Sequence, residues 1–155
     1  MTTSTEPYPI AKMAVEFLRD LPGFEGARHF VLEPFTEESA AIFAHLRCSD
    51  PVRLHGGGTL ESLALLVMSP RFLWRDYEVE VDEVTIEALA VSDPDDIVVL
   101  VIVHPRDPLW ESTANLYSPL VINRRTGAAV QLVPSVSEHE LGWAVKTPFP
   151  LDRNG

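Results

Sequence analysis

A chain of 155 residues with 46% apolar composition has material for one hydrophobic core rather than two, and at this size about 70% of the unfolded chain's surface can be buried. Twelve basic against 23 acidic residues give a formal net charge of −11, which repels nucleic-acid phosphates and argues against direct DNA or RNA binding. No apolar run reaches the roughly 18 residues of a membrane-spanning helix, the opening residues lack a secretory leader's basic and apolar regions, and Cys48 as the only cysteine precludes an internal disulfide and the usual Cys-based zinc sites. These features together lead us to expect a cytoplasmic protein without a membrane segment. Residues 1–8 read as a flexible tail, 9–134 as a single β domain, and 135–155 as a C-terminal extension of no assigned role.

Thirteen prolines, spread from Pro7 to Pro150, leave few intervals for a long helix and favour short strands joined by turns. In chain order, strands are predicted over Met13–Leu18, His29–Glu33, Ala41–Leu46, Leu63–Met68, Tyr77–Val81, Ile97–Val103, Leu120–Asn123 and Ala128–Val133. Gly56-Gly57-Gly58 lies in a stretch, Arg53 to Glu61, that reads as a flexible loop; it lacks the Gly-Lys-Ser/Thr ending of a phosphate loop. The run from Tyr77 to Asp82 alternates strictly, which puts Tyr77, Val79 and Val81 toward a core and Glu78, Glu80 and Asp82 outside. Asp82 is placed to cap a short helix from Glu83 to about Ala90, with Val84, Ile86 and Leu89 turned inward and Glu83 near the positive end of the helix dipole. Ile97–Val103 is apolar at every position and rich in β-branched residues, the pattern of a central strand covered on both faces. The expected fold is therefore mainly β, with one short helix around residues 83–90.

Charge is distributed unevenly. Between Asp76 and Asp96 stand nine acids and no Lys or Arg, either a solvated face that maintains solubility or a docking surface for a basic partner.

Several separated segments carry a family resemblance. Leu21-Pro22-Gly23-Phe24-Glu25, Asp76-Tyr77-Glu78, Asp95-Asp96-Ile97-Val98-Val99 and the run from Thr113 to Asn123, TANLYSPLVIN, stand in the order and spacing of the FliW flagellar assembly factors, so the chain resembles that family from about Leu21 to Val133. Arg75 departs from the pattern, which commonly has proline before the DYE motif. The resemblance implies a compact antiparallel barrel-like fold, no enzymatic activity, no cofactor, and two partners: the basic RNA-binding translational repressor CsrA, and flagellin awaiting export. Under it, Asp76, Glu78, Glu80, Asp82 and Glu83 are candidates to face CsrA. Phe72, Trp74 and Trp110 are candidates for an apolar flagellin-binding surface, because amphipathic helices seek an apolar groove. Asn115 and Asn123, within the TANLYSPLVIN run, read as structural residues that satisfy loop backbone groups.

An enzymatic alternative has little support in the residues. Glu78 and Glu80 would lie about 6–7 Å apart along a strand, but any i, i+2 acidic pair does so. The five histidines, His29, His45, His55, His104 and His139, show no metal-binding spacing, and no local base accompanies Cys48. The remaining alternative is a small β-barrel hydrolase or ligand-binding protein, with the glycine loop and His55 at a pocket mouth.

Overall fold

A computed structural model describes residues 10–35, 42–48, 50–54 and 56–150. Seven strands close into a barrel: β1 (Met13–Phe17), β3 (His29–Pro34), β4 (Phe43–Cys48), β7 (Leu63–Met68), β8 (Ile97–His104), β10 (Leu120–Asn123) and β11 (Ala128–Gln131). Consecutive barrel strands pair antiparallel, and the ring closes through a parallel pairing of β1 with β11, Glu16 opposite Ala128. An odd number of strands that alternate in direction must meet once with like direction, so the parallel junction follows from the count of seven.

Gly127 makes that junction possible. Its φ is 82°, its carbonyl accepts the Glu16 N–H at 2.9 Å, and a Cβ added there would sit 2.3 Å from the Ala14 carbonyl oxygen. Both the left-handed backbone and the close approach require glycine.

Two smaller sheets complete the fold. β2 (Phe24–Glu25), β5 (Val52–Leu54) and β6 (Thr59–Leu60) form one, while β9 (Thr113–Ala114) and β12 (Thr147–Pro148) extend the far end of β8. Within the stretch Arg53 to Glu61, read from the sequence as a flexible loop, Arg53–Leu54 and Thr59–Leu60 belong to strands, and Leu54 exchanges backbone bonds with Gly57 and Gly58 at 3.0 and 3.1 Å.

Hydrophobic residues separate into two clusters. One fills the barrel, with Phe17, Leu32, Leu46, Leu100, Leu120 and Ile122 at its centre. The other lies outside the wall formed by β8, β10 and β11, where Ile97, Val101, Val103, Val121 and Val130 are covered by Trp74, Tyr77, Val79, Val81, Leu89 and Phe149. β8 is apolar from Ile97 to Val103 because its two faces serve different cores, as its sequence predicts.

The outer layer also holds the departures from expectation. Residues 77–81 form no named strand; they run along the barrel wall, and Tyr77, Val79 and Val81 are buried while Glu78, Glu80 and Asp82 are exposed. The alternation thus reports which side chains face the core, while Glu80 makes a single β-bridge. The helix α1 covers Glu83–Ala88, capped by Asp82, whose Oδ1 accepts the Thr85 N–H at 2.7 Å. Val84 is 78% exposed rather than inward, and Thr85 takes the buried position, because a helix of this length buries a narrow stripe at Thr85, Ile86 and Leu89. Beyond 134, helix α2 (Glu138–Leu141), β12 and the buried Phe149 belong to this same layer. The expected tail at 1–8 lies outside the described residues.

A candidate protein-docking groove

The acidic segment forms one wall of a groove of about 340 Å³. Glu78, Glu80 and Asp82 stand along that wall, Tyr77 and Leu116 contribute to the lining below, and the opposite wall is apolar, from Leu132, Val133, Pro134 and Val136 to Leu141 and Trp143. Three of the five carboxylates predicted to face a partner therefore share this site. Asp76 and Glu83 are exposed but do not line it.

Side-chain contacts fix the two walls relative to each other. Trp143 packs edge-on against Tyr77 with ring centroids 5.2 Å apart. The Tyr77 hydroxyl donates to the Leu116 carbonyl at 2.7 Å, and burial pushes its phenol pKa well above the ordinary value, so it remains a neutral donor. Tyr117 donates to the Val136 carbonyl at 2.5 Å. α2 starts at Ser137, whose hydroxyl accepts the Glu140 N–H at 3.2 Å, and ends at Gly142 with φ 86°; Glu138 then accepts the Val145 N–H at 2.7 Å. The apolar wall is therefore held by its own caps.

Electrostatically the wall is open. Among the described residues no ion pair involves Asp76, Glu78, Glu80, Asp82 or Glu83. Hydrogen bonds from the Thr85 side chain and backbone hold Asp82 below its ordinary pKa, so it is ionised across the physiological range. Asp96 behaves differently: it is buried, within 3.5 Å of Arg124 and 3.9 Å of Arg125. Asp93 caps the turn before β8 by accepting the Asp95 N–H at 2.9 Å. Within the nine-acid run, Asp82, Asp93 and Asp96 thus hold local structure, while Glu78 and Glu80 stand at the groove without an ion pair among the described residues.

The aromatic candidates also separate. Trp74 is 7% exposed and packs edge-on against Phe149 at 5.7 Å; this core contact leaves it unable to present a docking face. Phe72 is half-buried, while Trp110 is 43% exposed in a short 3₁₀ helix, Leu109–Glu111. Neither lines the groove. Asn123 donates to the Leu89 carbonyl at 2.8 Å and accepts the Arg125 N–H at 3.0 Å, tying α1 to the β10–β11 turn. Asn115 accepts the Ser118 N–H at 2.9 Å.

Apart from Leu132 and Val133, the apolar wall escaped the sequence reading because it lies past the last predicted strand. Its signal was present: Ser137-Glu138-His139-Glu140 has the S-x-x-E form of a helix start, and Gly142 follows at the distance of a helix end. His55, invoked for the alternative pocket, lies outside the described residues. Among those residues no cluster of three or more His, Cys, Asp or Glu could hold a metal ion, and no helix is long and apolar enough to cross a membrane.

Comparison with known proteins agrees with the fold. The family model described as FliW protein matches residues 3–145. The flagellar assembly factor FliW of Bacillus licheniformis is 33% identical over 135 residues, covering 87% of this chain and 84% of that protein. Its counterpart from Bacillus subtilis is 33% identical over 133 residues, 86% and 82% of the respective chains. A crystal structure of the flagellar assembly factor FliW superposes with a TM-score of 0.73 at 25% identity, covering 90% of this chain and 87% of that one.

Proposed function

Because the chain belongs to the FliW family of flagellar assembly factors, we propose that it acts in the cytoplasm as a non-enzymatic binding factor for CsrA and unexported flagellin. Free factor sequesters CsrA and relieves repression of flagellin synthesis; accumulating flagellin takes up the factor and returns CsrA to its RNA. Translation is thereby coupled to export. For such a circuit the two partners must weaken each other's binding, and that coupling is reciprocal by linkage.

The observation that carries this reading is the row of exposed carboxylates, Glu78, Glu80 and Asp82, on the rim of a groove, none of them in an ion pair among the described residues. A basic protein docked there would have its own field reduced within a screening length of roughly 8 Å at physiological salt. RNA binding could then be opposed without occupation of the RNA-binding surface itself. Capture of purified CsrA and flagellin, separately and then together, tests the scheme. Each partner should bind alone, and increasing flagellin should displace CsrA; simultaneous undiminished binding of both would refute the switch.

A further inference from the structure

We propose that one mouth of the barrel binds a small monocarboxylate with a short or branched hydrocarbon tail, the carboxylate held by the Arg124 guanidinium and the Ser69 hydroxyl and the tail seated among Met13, Leu32, Val98 and Leu100. The site shares no lining residue with the groove, and it stands whatever partner the groove takes.

The strand ends assemble the site. Met13 opens β1 opposite Leu32, Val98 lies near the start of β8 opposite Ile122, Ser69 follows the last residue of β7, and Arg124 follows the last of β10. These residues therefore meet at one end of the barrel, where they line a cavity of about 220 Å³; barrel mouths are favoured places for small ligands. Leu32 and Leu100 are buried, whereas Met13 and Val98, which also pack against the barrel core, are only half-buried. The wall thus keeps apolar surface open to an occupant.

Two polar groups are set in this apolar lining. Alternation along β7 sends Val67 into the barrel core and Met68 into the outer one, which turns the next residue, Ser69, inward. Ser69 is 5% exposed and precedes the 3₁₀ helix Pro70–Phe72, yet its hydroxyl makes no cap hydrogen bond and has no other partner among the described residues. A buried hydroxyl without a partner carries a desolvation cost that an acceptor on a ligand relieves. Arg124 supplies charge. Asp96 reaches it through one nitrogen, Nη2, at 3.5 Å, and also lies 3.9 Å from Arg125, so two guanidiniums meet one carboxylate and the rim stays net positive. The remaining N–H groups of Arg124 suit a second carboxylate.

Size and chemistry narrow the ligand. Water takes up about 30 Å³ in the liquid, so the cavity accepts about seven non-hydrogen atoms. The apolar wall disfavours a strongly hydrated anion such as phosphate, which would lose its water shell without replacement, and Arg124 repels amines. A short alkyl carboxylate satisfies both the wall and the rim.

The test is titration calorimetry of the full-length protein with isovalerate, a carboxylate of that size, beside isovaleramide, isoamylamine and inorganic phosphate. Isovalerate should bind saturably at one site, and the other three should bind more weakly by roughly tenfold or more. Arg124→Gln should weaken isovalerate by roughly tenfold while leaving the amide unchanged, which separates lost charge recognition from a distorted wall. Ser69→Ala should weaken isovalerate severalfold, with thermal melts to confirm folding of both variants. Methyl NMR should show isovalerate shifting the Leu32, Val98 and Leu100 resonances while those of Val133 and Leu141, in the groove, stay in place. Absence of isovalerate binding, equal affinity for the amide or phosphate, unchanged affinity in either variant, or methyl shifts confined to other parts of the molecule would each overturn the proposal.

Discussion

The barrel interior and the layer packed on its outside are built by different means. Inside, every wall strand is bonded to two neighbours and the ring has no edge, so backbone hydrogen bonds and apolar packing reinforce one another. Outside, the segments 74–91 and 132–149 are held by scattered contacts, a short β9–β12 pairing and single backbone bonds such as that of Leu132 to Pro119 together with side-chain contacts from Tyr77 to Trp143 and Leu116, Trp74 to Phe149, Tyr117 to Val136 and Asn123 to Leu89. The contrast separates a scaffold set by topology from a docking groove set by a handful of contacts, and the two should fail separately.

The largest expected effect is at the barrel's closing junction. Gly127→Ala introduces a Cβ at 2.3 Å from the Ala14 carbonyl oxygen in a backbone region that alanine disfavours, and should cost about 3 kcal/mol or more, lowering the melting temperature of the whole molecule by roughly 6–12 °C. Calorimetry checks this, and a Gly127→Ala protein as stable as wild type would mean that the junction tolerates displacement.

Trp143→Ala comes next, with an expected loss of about 2 kcal/mol from the edge-on aromatic pair and its apolar burial. Here the loss should be regional. Hydrogen exchange should accelerate over 132–149 while β3, β4 and β7 retain their protection; uniform acceleration would erase the distinction between the layers.

Tyr77→Phe removes the buried bond to Leu116 while retaining the ring stacked on Trp143, and about 1 kcal/mol is expected, read by denaturant melts. The smallest effect concerns the Asp82 cap. Its folded-state pKa is depressed below the ordinary 3.8, so its contribution is present above that value and is lost as pH falls through the lower folded one. The stability difference between wild type and Asp82→Asn should therefore hold at neutral pH, begin to shrink below about pH 4 and vanish only once the pH is below the depressed folded-state pKa; a difference that persisted into strong acid would assign the effect to something other than the ionised carboxylate.

The two layers were also unequally legible in the sequence. β-branched runs and turn residues locate the barrel strands to within a few positions, and Ile97–Val103 announces burial on both faces, because these signals are local. The alternation at Tyr77–Asp82 correctly sorts core from solvent, yet it cannot show whether a ladder forms, since pairing depends on what lies alongside. Val84 and Trp74 were misplaced for a related reason: a short helix exposes most of its circumference, and only the fold shows that Phe149 covers Trp74. The groove's second wall required knowing that a distant downstream segment, Leu132 to Trp143, returns to Tyr77. No spacing within either segment encodes that meeting.

The central claim is that the exposed carboxylates at the groove bind a basic partner. The most direct measurement is the affinity of the Glu78→Lys, Glu80→Lys double variant for CsrA by titration calorimetry, with thermal melts to confirm folding. A loss of at least tenfold, about 1.4 kcal/mol, with an unchanged melting temperature is predicted. Unaltered affinity in a properly folded variant would contradict the account.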